Sequence, residues 1–421
     1  ALFDAAVDAA QPGTCLPPHL PEPPKGKLIV LASGKAAGSM AAAAERHYLD
    51  TLSLPPERIE GLAIARYGYG KPTRHIRMVE AGHPVPDASG VAATEDALAL
   101  ASTAGPDDLV LVLLSGGGSA LWSAPAMGVT PDAKQALTRA LLASGARIGE
   151  INTVRRHLSR IKGGRLAATA HPARLLTLAI SDVAGDDPSA IASGPTVADP
   201  SSLADARGVL GKYGIDPGPE IAAALSEEAN ETPKPGDFRL DAAEYRLIAT
   251  PAMALAAAEA KARALGFDSE ILGTDLEDDA RDLAGDHAER ARAAADQGRR
   301  IVLLSGGEAT VTLRGRGRGG PNQEFALALA IALHGRPGIW GLGADTDGTD
   351  GGGGAADDPA GAIVGPDTLK RAVELGLDAD AFLEDNDSTG FFERLGDLLV
   401  PGPTYTNVND FRAVVVDLSA D

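Results

Sequence analysis

Four stretches in the first half of the chain are continuously apolar for about six residues. They are "KLIVLAS" (27–33), "EGLAIARY" (60–67), "DLVLVLLS" (108–115) and "RLLTLAIS" (174–181). An alternating apolar pattern would suit a strand with one wet face, whereas a continuous run suits a strand buried on both faces of a parallel sheet. Amphipathic stretches separate the runs, "AAGSMAAAAERHYL" (36–49) and "SGVAATEDALALAS" (89–102). Thr130 and Pro131 supply an N-cap and a first-turn proline for another helix, and Gly145 can end it. This β-then-α rhythm predicts an α/β fold with helices on both faces of a parallel sheet.

The rhythm pauses after a helical stretch near 202–213. "GIDPGPEIAAALSEEANETPKPGDF" (214–238) is rich in proline, glycine and charge, so few core contacts are expected across it. A domain junction is placed there, giving segments 1–235 and 240–421. The second half predicts strands at "YRLIA" (245–249), "SEIL" (269–272), "IVLLS" (301–305), "ATVTL" (309–313) and "IWGLGA" (339–344). Helices are expected from Pro251, up to about 297, and from Pro321, and "AVVVDL" (413–418) is expected to close the sheet.

Acidic residues outnumber basic ones by 58 to 38, for a net charge of −20. Such a surface repels nucleic acid and anionic membranes, so an anionic ligand needs a local basic or amide-lined pocket. No apolar run approaches the roughly 18 residues of a membrane span. The single cysteine, Cys15, excludes an internal disulfide. With neither basic nor apolar regions of a signal peptide at the N-terminus, a cytoplasmic location is expected. The oligomeric state stays open.

Two apolar runs end in Ser-Gly-Gly. One leads into Ser115, Gly116, Gly117, Gly118 and Ser119, the other through Ser305 into Glu308. A glycine-rich turn between strand and helix exposes backbone N–H groups and admits a phosphate or carboxylate, although glycine in a tight turn also serves geometry alone. Lys35 follows the first strand and can offset anionic charge, or it can be a solvated surface lysine. Asp182 follows another strand, with Asp186 and Asp187 in the same loop, and Asp345, Asp347 and Asp350 follow the strand at 339–344. Oxygen-only ligands of this kind suit Mg²⁺, and acidic loops are also ordinary turns. A basic run holds Arg155, Arg156, Arg160, Lys162 and Arg165. On one helix Arg155 and Ser159 would share a face, as would Arg156 and Arg160, so these groups cannot all meet one ligand. Gly315, Gly317 and Gly320 make a formal G-x-G-x-x-G, a weak sign of a dinucleotide. No ordinary P-loop, serine-hydrolase elbow or zinc-ligand spacing occurs.

Nine ordered motifs carry a resemblance: "SGKAAGSM", "GHPVPDASG", "LLSGGGSAL", "INTVRRHLSRIKGGRLA", "SDVAGDDPSAIASGPT", "NETPKPGD", "LSGGEATVTLRGRGRGGPNQEFAL", "GADTDGTDG" and "PGPTYTNVND". Together they resemble glycerate 2-kinases of the MOFRL type, which older naming labels hydroxypyruvate reductase. The resemblance implies a Rossmann-like N-terminal domain, a smaller α/β C-terminal MOFRL domain, and ATP with Mg²⁺ acting on the 2-hydroxyl of D-glycerate. Matching positions imply that Lys35, Asp182, Glu308, Asp347 and Asn407 line a cleft between the domains. Of these, Lys35, Asp182 and Asp347 carry the catalytic expectation and Asp182, Glu308 and Asp347 the metal. Ser115 to Ser119, Arg155, Glu308, Asn322 and Asn407 are expected to bind substrate or nucleotide. The chain departs from the family pattern at Pro321, where many members have arginine, with Arg318 or Arg155 as candidate substitutes, and at Tyr405, between Thr404 and Thr406. An NAD(P)H-dependent hydroxypyruvate reductase is the alternative, resting on the three spaced glycines.

Overall fold

The continuous apolar runs of the first half are strands. In a computed structural model that describes residues 1–351, 355 and 357–419, they are β1 (Leu28–Ser33), β2 (Ile59–Arg66), β4 (Leu109–Leu114) and β5 (Arg174–Ile180), joined by β3 (Ile76–Ala81) and β6 (Ala243–Ala249). The sheet order is β3-β2-β1-β4-β5-β6, and the ladders linking β1 to β5 are parallel. Every residue of β1 and β4 is buried, as a central strand with helices on both faces requires. Strand β3 gives no continuous apolar signal because it is an edge, partly exposed along its length. Thr130 caps the helix Pro131–Ala143 by accepting from the Ala133 N–H, and Gly145 follows its end with φ +74°.

The chain divides into two units, neither of them one continuous segment. A parallel-sheet unit holds Cys15–Ile180 and Asp186–Ile248, and a mixed-sheet unit holds Ala1–Thr14, Ser181–Gly185 and the chain from Ala249 onward. The proline-rich stretch 214–238 therefore lies inside the parallel-sheet unit, and the strand expected to open the second half, β6, is an edge of the first sheet. The N-terminal helix Leu2–Ala9 packs on the helix Pro251–Ala264, and Phe3 meets Phe411 edge to face at 6.0 Å.

The mixed sheet contains β7 (Asp268–Leu276), β8 (Ile301–Gly307), β9 (Ile339–Asp345), β10 (Gly361–Val364), β11 (Leu398–Leu399) and β12 (Asp410–Val416). Its order is β11-β10-β9-β12-β8-β7. Only β7 and β8 pair in parallel, and β12 runs antiparallel to both neighbours. The C-terminal apolar run thus fills the centre of the sheet instead of closing its edge. Residues 309–313 form no strand; Thr310 makes a single bridge to Asp279. Helix Pro321–Leu333 is buried on nearly every side, packed with Leu303, Phe391 and Val414 in the unit's core. Beyond Asp350, residues 352–354 and 356 lie outside the described residues.

Candidate active site

Chain order in the parallel sheet runs outward from β1 to β3 and then restarts on the other side at β4. The carboxyl ends of β1 and β4 therefore flank the point where strand order reverses, which is where open α/β sheets leave a crevice. Lys35 and the Ser115–Ser119 turn occupy those two ends and are tied together. The Lys35 N–H donates to the Gly116 carbonyl (2.7 Å), the Ala36 N–H to the Ser115 hydroxyl (2.9 Å) and the Ser115 N–H to the Ser33 carbonyl (3.1 Å). Gly34, at φ +128°, has no room for a side chain, since a Cβ would stand 2.2 Å from the Ser115 Oγ. The buried Ser115 hydroxyl thus braces the turn, a role the anion-site expectation did not foresee.

The Gly118 N–H donates back to Ser115, whereas the amides of Gly116 and Gly117 donate to no group among the described residues. The Ser119 hydroxyl lies 2.8 Å from that of Ser193, which with Ala192 holds a left-handed backbone (φ 63° and 50°). A left-handed non-glycine residue costs roughly 1–2 kcal/mol, and such strain gathers where a site needs a fixed geometry.

The basic run beyond this turn diverges. Helix Ile148–His157 ends before Arg160, so the helical spacing assumed for that residue does not apply. Arg156 is buried against Asp199 (3.1 Å) and donates to Ser189, while Arg160 pairs with Glu95. The guanidinium of Arg155 makes no ion pair among the described residues.

At one end of the mixed sheet, the exits of β8 and β9 flank the start of β12, with Asp410 opposite both Gly307 and Asp345. Glu308 leaves β8 exposed, and Asp345, Thr346 and Asp347 leave β9. Asp182 belongs to this unit: its carboxylate accepts from the Asn407 side-chain amide (2.8 Å), and its carbonyl from that of Asn409 (2.9 Å). Asn409, which the sequence reading overlooked, has φ 70°, and both its carbonyl and its N–H fix neighbours, Thr346 and Asn407 respectively. Asp347 is buried, one oxygen accepting from the Thr349 N–H (2.8 Å) and hydroxyl (3.1 Å). Asp186 and Asp187 belong to the other unit, where Asp187 accepts from Ser189, so the three-aspartate loop is divided after Gly185.

Asn322 is fully buried. Its amide bonds Asp350 (3.1 Å) and Asp410 (2.5 Å), and the Asp350 carboxylate accepts the N–H groups of Asn322 and Gln323 at the helix start. Burial lifts the Asp350 carboxyl to about 7 against those hydrogen bonds. Pro321 occupies the first helical position, where its missing N–H costs nothing. Arg318 is exposed and pairs with Glu393 (2.7 Å). The spaced glycines do not open a strand-turn-helix crevice. Side chains at Gly315 and Gly317 would strike Asp385 and Asp387 at 2.3 Å, and amides from Arg314 to Arg318 are taken by residues 385–387. The glycines let two segments of this chain meet, leaving no cradle for a pyrophosphate.

Among the described residues no three His, Cys, Asp or Glu side chains gather to hold a metal. Asp182, Glu308 and Asp347 offer only oxygen donors, which fits an ion that takes one or two carboxylates and completes its shell with water and phosphate.

Residues 1–226 match a domain of unknown function, DUF4147, and residues 301–410 match the MOFRL family. The chain belongs to the DUF4147–MOFRL family. A D-glycerate 2-kinase of Thermotoga maritima is 40% identical, the match covering 96% of this chain and 94% of that one. A crystal structure of glycerate kinase from the same organism matches with a TM-score of 0.88 at 39% identity, covering 99% of this chain and 98% of that chain. A relative from Agrobacterium vitis named putative hydroxypyruvate reductase is 49% identical over 99% of this chain and 93% of its own length. Both names thus occur within the DUF4147–MOFRL family.

Proposed function

We propose that the protein is a glycerate 2-kinase, transferring the terminal phosphoryl group of ATP to the 2-hydroxyl of D-glycerate. The observation that carries this reading is Asp182, its carboxylate held by Asn407 and its backbone carbonyl by Asn409 beside the exits of β8 and β9, in a chain whose solved relative is a glycerate kinase. Phosphoryl transfer asks little covalent chemistry of a protein; it asks for alignment and for neutralised charge. Asp182 takes the hydroxyl proton as the acceptor oxygen attacks, with Asp347 as the alternative base. Lys35 stabilises charge on the migrating group, and the amides of Gly116 and Gly117 receive an anion at the sheet's reversal point. Mg²⁺, held by Asp182, Glu308 or Asp347, would supply charge neutralisation at the phosphates.

A coupled assay of ADP release with D-glycerate, L-glycerate, tartrate and hydroxypyruvate tests the reading, with the product's phosphorylated position read by phosphorus NMR. ADP formation with D-glycerate and a 2-phosphoglycerate product are expected. Loss of NADH absorbance with hydroxypyruvate, without ADP formation from glycerate, would sink it.

A further inference from the structure

Behind the Ser115–Ser119 turn, residues 124–126 run antiparallel to 158–160: the Arg160 N–H donates to Ala124 (2.9 Å) and the Ala126 N–H to Leu158 (3.1 Å). That register sets Lys162 opposite Trp122. The buried Lys162 ammonium donates to the Ser119 carbonyl (2.7 Å), the Ser119 hydroxyl (3.1 Å) and the Trp122 carbonyl (3.1 Å). Its three hydrogens are thereby used, so Lys162 fixes the turn and keeps none for a ligand.

Lys134 is another matter. It precedes Leu137 and Leu141 by three and seven residues on helix Pro131–Ala143, and so shares the face they bury with Ile151, Val154 and Leu158. The adjacent Gln135 donates to the Pro86 carbonyl (3.2 Å), in the loop that brings His83 against Gly117. The Lys134 ammonium is sealed from solvent with no hydrogen-bond partner among the described residues, although its stem is partly exposed. Lys134, Arg155 and Lys162 repel one another, and burial followed by Arg155 draws Lys134 down to about 8. Lys134 meets no carboxylate among the described residues, and the three bonds of Lys162 go to Ser119 and Trp122. In a chain of net charge −20, a sealed lysine ammonium that other cations repel and no counter-ion meets among the described residues is strongly unfavourable unless an anion visits it.

We propose that Lys134 and Arg155 are the receptor for a small oxyanion beside the Ser119 turn, either the acceptor's carboxylate or a phosphate of the nucleotide, with Lys162 as a positioning residue. The choice between those two ligands rests on the kinase reading; the anion site does not.

Calorimetric titration of D-glycerate, ADP and inorganic phosphate into the full chain and into Lys134→Met tests this. Loss of a charge-assisted contact should weaken at least one ligand by about tenfold or more. Weaker D-glycerate binding identifies the carboxylate, and weaker ADP binding the nucleotide phosphate. The variant should melt no lower than the parent, because it sheds an unpaired buried charge. Binding of all three ligands within about twofold of the parent overturns the proposal. If the parent neither binds nor phosphorylates D-glycerate, the kinase reading fails alone, and inorganic phosphate still reads the site.

Discussion

The chain carries Ser-Gly-Gly twice, once just after a buried strand and once as the last residues of one, and the two uses are opposites. After β4, the Ser115 hydroxyl accepts a backbone N–H from the β1 exit, the amides of Gly116 and Gly117 donate to no group among the described residues, and cationic side chains stand nearby. In β8, Ser305 bonds His287 (2.8 Å), Gly306 and Gly307 remain in the strand, and the exit carries Glu308 among the acidic residues that leave β9. The same three residue types thus build an end suited to anions in one unit and an acidic end in the other. What differs is the residue that follows and the elements packed behind it.

If that contrast is functional, removing the acidic end's candidate base should cost most. Asp182→Asn keeps the shape and can still accept from Asn407, but it cannot take a proton. We expect kcat to fall about 10³-fold with stability little changed, read from steady-state ADP release beside a melting curve. Near-normal kcat would move the base to Asp347. At the cationic end, Lys35→Ala should lower kcat by about 10²–10³-fold through loss of one preorganised charge. A change confined to KM would make Lys35 a binding group. Asn407→Ala should cost about 10–100-fold, the worth of one hydrogen bond to a charged group. If Asp182→Asn and Asn407→Ala act through the same carboxylate, the double variant should be no slower than Asp182→Asn alone.

How much of this the sequence disclosed depends on burial. Strands β1, β4 and β5 are legible because both faces are covered and the apolar run is unbroken. Edge strand β3 and the short β10 and β11 lack that run, and nothing local says that β12 inserts between β8 and β9. Lys35 and the Ser115 turn stand together because a parallel strand must deliver its following residues to the same sheet edge as its neighbour. Asn322 is ambiguous in sequence, since a polar residue at a glycine-rich helix start serves a ligand or the chain's own buried carboxylates equally well; its amide nitrogen bonds Asp350 and Asp410, while its Oδ1 meets no partner among the described residues. The separation of Asp182 from Asp187 was invisible because it depends on which unit each half of a short loop joins.

The weakest expected effect on turnover is also the one that separates the two Ser-Gly-Gly segments by pH. His287 Nδ1 lies 2.7 Å from the Leu283 carbonyl, which can only accept, so the neutral ring carries its proton there and Nε2 accepts from the Ser305 hydroxyl. Burial first, and Arg412 next among the opposing charges, push this imidazole from 6.5 down to about 4, against the Leu283 bond and Asp286. The unfolded chain therefore binds more protons than the folded one between those values. The stabilisation is complete above pH 6.5 and is lost as pH falls toward 4, by at most about 3 kcal/mol. Asp350, raised to about 7, acts in the opposite sense over the same range, so the total slope does not isolate the histidine. The difference in unfolding free energy between the parent and His287→Gln does: it should shrink steadily from pH 7 to pH 4. A constant difference would mean that His287 contributes packing against Phe325 (5.2 Å) and no proton linkage, leaving the two segments alike in their response to acid.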